Sequence, residues 1–186
     1  MIVAIDVDLT VVDSLTPWMD WLSQYTDEKV VNADGAYHLA PEMRAILDRA
    51  GRQDINPIDY WRQPNLYDNM KPLPGSQECI KALRSMGANI VFVSSCFPEH
   101  TESKVRMLEN NFEMDGFIAT HDKHFVSYNA IIDDKLEHHE LGNMFRPSAK
   151  HILFTGVRED GTEEQRKKYL KLSHWNSSVM WKILEA

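Results

Sequence analysis

Short, uninterrupted apolar runs punctuate the chain, and each ends in polar residues. Ile2 to Ile5 ends at Asp6, Ile90 to Val93 at Ser94-Ser95, and Phe117 to Ala119 at Thr120. Ala130 to Ile132 ends at Asp133-Asp134, and Ile152 to Phe154 at Thr155-Gly156. Runs of this length without polar alternation read as strands buried on both faces, which implies a parallel sheet covered by helices. Helical patterns lie between them. Ser76 is placed to cap a helix in which Cys79, Ile80, Leu83 and Met86 share a face, and Gly87 closes it. Pro98 suits a first helical turn, with Val105, Leu108 and Phe112 as the apolar stripe. Trp175, Val179, Trp181, Ile183 and Leu184 suggest a terminal helix packed back on the core. Strand and helix alternating in this way predict an α/β fold with a doubly wound parallel sheet.

One interval departs from this rhythm. Roughly 80 residues separate the first apolar run from the second, far more than one crossover helix needs. Residues 14–72 hold Trp18, Trp21, Tyr25, Tyr37, Tyr60, Trp61 and Tyr67, with helical patterns near 15–25, 41–50 and 57–63. Pro72-Leu73-Pro74-Gly75 then marks a return. The expected organisation is a catalytic core formed by 1–13 and 73–186, with a small helical cap, 14–72, inserted after the first strand.

Composition narrows the function. The chain has 186 residues, with 20 Lys and Arg against 28 Asp and Glu, a net charge of −8. Such an acidic protein is not expected to coat long nucleic acid, which needs a basic surface. No apolar run approaches the roughly 20 residues that span a bilayer, so no membrane partner is expected. The start MIVAIDVD has no basic segment and meets acids early, unlike a signal peptide. Two cysteines, Cys79 and Cys96, are too few for a disulfide framework or a zinc-finger pattern. A reduced, cytoplasmic enzyme is the expectation.

Sites in open α/β sheets gather at the carboxyl ends of strands. The polar residues there are Asp6, Asp8, Ser94, Ser95, Lys123, Asp133 and Asp134. Carboxylates next to buried strands are costly unless a metal or hydrogen bonds compensate them. An oxygen-rich set of this kind suits Mg²⁺ shared with a substrate phosphate. A carboxylate attacks phosphorus only when its repulsion from the phosphate is neutralised, here by a metal and an ammonium, with hydroxyls holding the other oxygens. The constellation predicts phosphoryl transfer through an aspartyl-phosphate. Asp8 would protonate the leaving oxygen and then activate water.

D-V-D-L-T at Asp6 to Thr10 resembles the first motif of the haloacid dehalogenase (HAD) superfamily of phosphohydrolases. V-S-S at Val93 to Ser95 is similar to its second motif, Lys123 to its third, and I-I-D-D at Ile131 to Asp134 to its fourth. Within it, K-P-L-P-G at Lys71 to Gly75 resembles the 5′(3′)-deoxyribonucleotidases. So do the step from Lys123 to Asp133, H-I-L-F-T at His151 to Thr155, S-H-W at Ser173 to Trp175 and W-K-I-L at Trp181 to Leu184. The resemblance implies a Mg²⁺-dependent phosphomonoesterase for (deoxy)ribonucleoside monophosphates, with a small helical cap and, as an open option, a homodimer. It implies Asp6 as nucleophile, Asp8 as acid/base with its backbone carbonyl on the metal, and Lys123 pairing phosphate with Asp6. Ser94 and Ser95 would hold phosphate oxygens. Asp134 would be the direct metal ligand with Asp133 behind it, although the residues alone do not rank those two.

The chain departs from that family's pattern in two places. Leu9-Thr10 stands where its members usually have Gly-Val, and no lysine follows the second motif closely, Lys104 being much later. Lys104 therefore competes with Lys123 for the phosphate, with Lys123 favoured by its distance from Asp133. Tyr37 is the candidate wall stacking on the base, and the other aromatics of 14–72, Trp18 and Trp21 among them, read as cap core. Cys96 reads as a small buried residue, and the histidines follow no zinc spacing. Alternatives are a HAD phosphatase for another small ester or a polynucleotide end, and a non-catalytic nucleotide-binding module.

Overall fold

In the computed structural model, which describes residues 1–27, 29–31, 40–176 and 183, six strands form one parallel sheet. They are β1 (Ile2–Ile5), β2 (Asn89–Ser94), β3 (Gly116–Ala119), β4 (Ala130–Asp133), β5 (Lys150–Phe154) and β6 (Leu170–Leu172), in spatial order β3-β2-β1-β4-β5-β6. The chain winds outward from β1 in one direction and from β4 in the other. The order therefore reverses between β1 and β4, and a crevice opens there at the carboxyl ends of the strands. Register places Ile5 beside Ile132, and the Asp6 amide donates to the Ile132 carbonyl at 2.9 Å. That bond sets Asp6 against Asp133.

The five apolar runs read from the sequence are the five inner or longer strands. Val3, Ala4, Ile5, Ile90, Phe92, Ile132 and Ile152 are fully buried, as a sheet covered on both faces demands. The sequence reading missed β6, a three-residue edge strand whose central Lys171 is exposed. An edge needs only one buried face, so no continuous apolar run marks it.

The crossover helices are α3 (Ser76–Ser85), α4 (Pro98–Asn111) and α5 (Leu136–Phe145), followed by the short α6 (Glu163–Arg166). Pro98 opens α4 as expected, and Gly87 follows α3 with φ of +89°. Two details differ from the pattern. Gly75, not Ser76, is the N-cap of α3, and the Ser76 hydroxyl turns back to donate to the Leu73 carbonyl at 2.7 Å. Gly75 has φ of +81° and lies against the Trp175 carbonyl, where a side chain would collide. On α4 the buried face is His100, Ser103, Lys104, Met107 and Leu108; of the predicted stripe Leu108 and Phe112 are buried and Val105 is half-buried.

Between β1 and α3 lie α1 (Leu15–Leu22), a 3₁₀ turn (Ser23–Tyr25), α2 (Ala40–Arg49) and a second 3₁₀ turn (Pro57–Arg62). None of the described residues of 14–72 contributes a strand to the sheet. Trp18 packs edge-on to Trp61 at 5.6 Å and donates its ring N–H to the Pro57 carbonyl at 2.8 Å. Leu22, Met43, Leu47, Tyr60 and Tyr67 belong to the same apolar cluster as Ile5, Ile80 and Phe92. These residues thus share one continuous core with the sheet. At the other end, Trp175 is buried and donates to the Thr10 carbonyl at 2.7 Å, and Ile183 is buried. Val179, Trp181 and Leu184 of the expected terminal helix lie outside the described residues, as does Tyr37.

Candidate active site

The loop leaving β1 builds the first half of the site. The Val7 carbonyl accepts from the amides of Thr10, Val11 and Val12 at 3.3, 3.0 and 3.2 Å, and Leu9 N–H donates to the Val12 carbonyl at 2.8 Å. Val7 is fully buried, while Asp6 and Asp8 on either side of it line the crevice. The tight loop holds Leu9 at φ of +59°, the left-handed region. For leucine this costs on the order of 1 kcal/mol. A glycine would hold the same backbone without side-chain strain.

Lys123, at the start of a 3₁₀ turn (Lys123–Phe125), reaches under this loop. Its ammonium pairs with Asp6 Oδ1 at 2.6 Å and Asp133 Oδ2 at 2.7 Å, and the lysine is 2% exposed. Burial disfavours the ammonium, but the charges of Asp133 and Asp6 outweigh it and hold the Lys123 pKa above its ordinary value. Asp133 is anchored from all sides. Its Oδ1 accepts from the Lys135 amide at 2.9 Å, and His138 Nδ1 lies 3.0 and 2.9 Å from its two oxygens. Burial would raise the Asp133 pKa, yet Lys123 and His138 pull it well below the usual carboxylate range. Burial pushes the Asp6 carboxyl up against the pull of Lys123, with Asp133 and Asp8 adding to the rise.

Asp6, Asp133 and Asp134 are buried and offer carboxylate oxygens within 4.8 Å of one another. An all-oxygen set of this kind fits a hard divalent cation such as Mg²⁺. Both Asp133 oxygens already serve Lys123, His138 and Lys135, which favours Asp6 and Asp134 as the side chains that would hold the metal. The Asp8 carboxylate is outside this group.

The Asp8 side chain meets a second set of partners. Lys104 of α4 places its ammonium 2.7 Å from Asp8 Oδ2, 2.9 Å from Ser94 Oγ and 3.0 Å from the Ser95 carbonyl. The Tyr67 hydroxyl donates to Asp8 Oδ1 at 2.7 Å. Burial works against the Asp8 carboxylate, but Lys104 and the hydrogen bonds from Lys104 and Tyr67 hold its pKa below the ordinary value. The two lysines, competitors for the phosphate in the sequence, serve different aspartates here, Lys123 with Asp6 and Asp133 and Lys104 with Asp8. The Ser94 hydroxyl is 1% exposed and turned toward Lys104 and Asp8.

Two clefts of about 330 Å³ each open over these residues. The first is lined by Asp6, Asp8, Ser94, Ser95, Lys123 and Asp134, so six of the eight candidates named from the sequence converge there. Asp133 lies behind them on Lys123, and Tyr37 lies outside the described residues. The second cleft shares Asp8, Leu9, Ser95 and His121 with the first and is walled by Trp18, Trp61, Tyr67 and Phe97. Trp18 is thus both core and wall, a role the sequence did not separate. Arg158 also reaches this cleft, and nothing in its surroundings in sequence marked it. Cys96 lines the same cleft, and burial pushes its thiol pKa up, as fits a packed, unreactive side chain.

The floor of the site has a pH signature. His139 is buried, its Nε2 lies 2.9 Å from the Asp133 carbonyl oxygen, and burial lowers its pKa to about 4. The unfolded chain takes up this proton near pH 6.5 and the folded chain only near pH 4. Stability from this group is therefore complete above pH 6.5 and declines toward pH 4, by about 3 kcal/mol in all. Denaturant unfolding of wild type and His139→Gln across that range tests this. The variant should show a flatter pH dependence, and parallel curves would contradict the assignment.

Comparison of the whole chain with solved structures shows the class of fold. It is that of the HAD hydrolases. A HAD-hydrolase of Bacillus subtilis, YfnB, bound to magnesium, superposes with a TM-score of 0.67 at 13% identity, covering 100% of this chain and 98% of that one. A HAD-superfamily hydrolase from Ehrlichia chaffeensis gives 0.56 at 13% identity, over 98% and 95% of the two chains. The chain belongs to the family of 5′ nucleotidase, deoxy (pyrimidine), cytosolic type C proteins, whose profile matches residues 1–177. This is a family of phosphoric monoester hydrolases. The human mitochondrial 5′(3′)-deoxyribonucleotidase is 28% identical over 134 residues, 68% of this chain and 57% of the human protein. The mouse protein is 29% identical over 105 residues, 53% of this chain and 47% of its own length. The matched region thus spans about half the length of these curated relatives.

Proposed function

We propose that this protein is a Mg²⁺-dependent phosphomonoesterase that removes phosphate from (deoxy)ribonucleoside monophosphates through an aspartyl-phosphate on Asp6. The observation that carries the proposal is the junction of the two clefts. A cleft of carboxylates with one buried ammonium opens, across Asp8, Leu9 and Ser95, into a cleft walled by flat aromatic rings. One suits a phosphoryl group and the other a nucleobase. Residues 14–72 act in this reading as the cap that supplies Trp18, Trp61 and Tyr67 to the leaving-group side. Asp6, Asp134 and the Asp8 carbonyl are the groups that would hold Mg²⁺, which supplies positive charge against the phosphate and the carboxylates.

In the first step an Asp6 oxygen bonds to phosphorus as the bond to the ester oxygen breaks, and a proton on Asp8 passes to that oxygen. Lys123 keeps Asp6 ionised and aimed, and Ser94 and Ser95 hold phosphate oxygens. In the second step Asp8 takes a proton from the attacking water, whose oxygen replaces Asp6 on phosphorus. Asp8 leaves that step protonated for the next turnover. The pull of Lys104 on Asp8 favours the ionised form that the second step uses.

Phosphate release over a panel of nucleoside monophosphates and sugar phosphates, with and without Mg²⁺, tests the proposal. Preference for sugar phosphates would replace the nucleotide reading. Trp61→Leu keeps apolar bulk and removes a flat face. It should lower kcat/KM for the best nucleotide by roughly 5- to 150-fold, the range of one base-stacking contact, and affect p-nitrophenyl phosphate much less. Equal losses would mean that Trp61 supports the fold alone. Among the described residues no helix is long and apolar enough to cross a membrane. We place the enzyme's work in the cytoplasm, which suits the free thiols of Cys79 and Cys96.

A further inference from the structure

We infer that Lys104 and Tyr67 are positioning residues for Asp8, one from the core and one from the inserted segment, so that protonation of the leaving group depends on the insertion being seated. The inference rests on the phosphatase reading above and adds to it two residues that no motif marks. Each Asp8 oxygen has its own partner. Lys104 Nζ holds Oδ2 at 2.7 Å from below, and Tyr67 Oη holds Oδ1 at 2.7 Å from the side of residues 14–72. A carboxylate gripped at both oxygens keeps one rotamer, and proton transfer in this geometry requires that.

The grip is built, not incidental. Lys104 is 0% exposed, and a buried ammonium is retained only where it is fully paired. Its other partners, Ser94 Oγ and the Ser95 carbonyl, fix it from two directions, and its ammonium sits 4.7 Å from the centre of the Tyr67 ring. Tyr67 is likewise fully buried, and its amide lies 3.4 Å from the hydroxyl of Ser103, the neighbour of Lys104. One turn earlier on α4, His100 Nδ1 meets the Trp61 carbonyl. The buried face of α4 therefore fastens the inserted segment and the acid at once. That face carries His100, Ser103 and Lys104 ahead of its apolar Met107 and Leu108.

The test separates an orienting role from a merely structural one by leaving group. A nucleoside 5′-oxygen departs poorly without a proton, whereas p-nitrophenolate is a stable anion and needs little help. The readout is kcat/KM, which covers the steps through formation of the aspartyl-phosphate, for both esters in Lys104→Met and Tyr67→Phe. Lys104→Met removes an anchor of Asp8 and also the charge that keeps it ionised, so the positioning role predicts a loss about 10-fold greater on the nucleotide than on p-nitrophenyl phosphate even though more Asp8 is protonated. Tyr67→Phe keeps the ring and removes one hydrogen bond, and its differential loss should be roughly 3- to 10-fold. Thermal melts confirm folding, and Tyr67→Phe carries the test if Lys104→Met does not fold. Equal losses on both esters, or none on either, would overturn the inference. If the panel finds another alkyl phosphate as the preferred substrate, the comparison is made with that ester. Failure of the nucleotide reading thus stays distinct from failure of this one.

Discussion

Asp6→Asn should reduce turnover on the order of 10⁴-fold or more with every ester the protein hydrolyses. The substitution keeps the shape of the side chain and its place beside Lys123 but removes the attacking oxygen's charge. Asp6 is 6% exposed and held 2.6 Å from the Lys123 ammonium, so no neighbouring carboxylate can take over its line of attack. Asp133 is pinned by Lys123, His138 and the Lys135 amide, and Asp8 by Lys104 and Tyr67. The loss should appear in kcat with pre-steady-state phosphate labelling of the protein abolished as well. A variant retaining most of the wild-type turnover would show that the phosphoryl group does not pass through Asp6.

Removal of divalent metal should be nearly as severe. Three buried carboxylates within 4.8 Å, with one lysine shared between two of them, leave net negative charge where a phosphate dianion must enter. EDTA should lower activity by on the order of 100-fold or more, and Mg²⁺ should restore it. Beryllium fluoride should inhibit only in the presence of the metal, as a mimic of the phosphoryl group on Asp6. Full activity in excess chelator would exclude the metal from catalysis. Asp134→Asn should weaken the Mg²⁺ dependence more than Asp133→Asn, whose carboxylate is committed to Lys123 and His138.

Sequence legibility followed burial. Where a strand is covered on both faces, solvent exclusion forces a continuous apolar run, and β1, β2, β4 and β5 were visible for that reason; the edge strand β3 keeps an apolar run although its last two residues are exposed. The candidate site residues at the strands' carboxyl ends stood out because paired acids after a buried strand are costly unless compensated. The edge strand β6 hid because half of it faces solvent. The tie of Lys104 and Tyr67 to Asp8 hid for the opposite reason. Both are buried, yet one is charged and the other looked like one more core aromatic, so periodicity and composition gave no sign of their partners.

By itself, the amino-acid sequence determined the parallel α/β core and the aspartates and lysine that stand at the strand ends. Those follow from local rules: apolar runs for buried strands, and carboxylates placed one or two residues past them. Only the tertiary structure decided how the acids divide their partners, Lys123 to Asp6 and Asp133, Lys104 and Tyr67 to Asp8. It also decided that Trp18, Trp61 and Phe97 face one cleft beside the cleft of Asp6, Lys123 and Asp134. Except for Lys123 with Asp133, ten positions apart, these pairings join residues 59, 96 or more positions apart in the chain, and their energy depends on distance and shared burial, neither of which sequence spacing encodes.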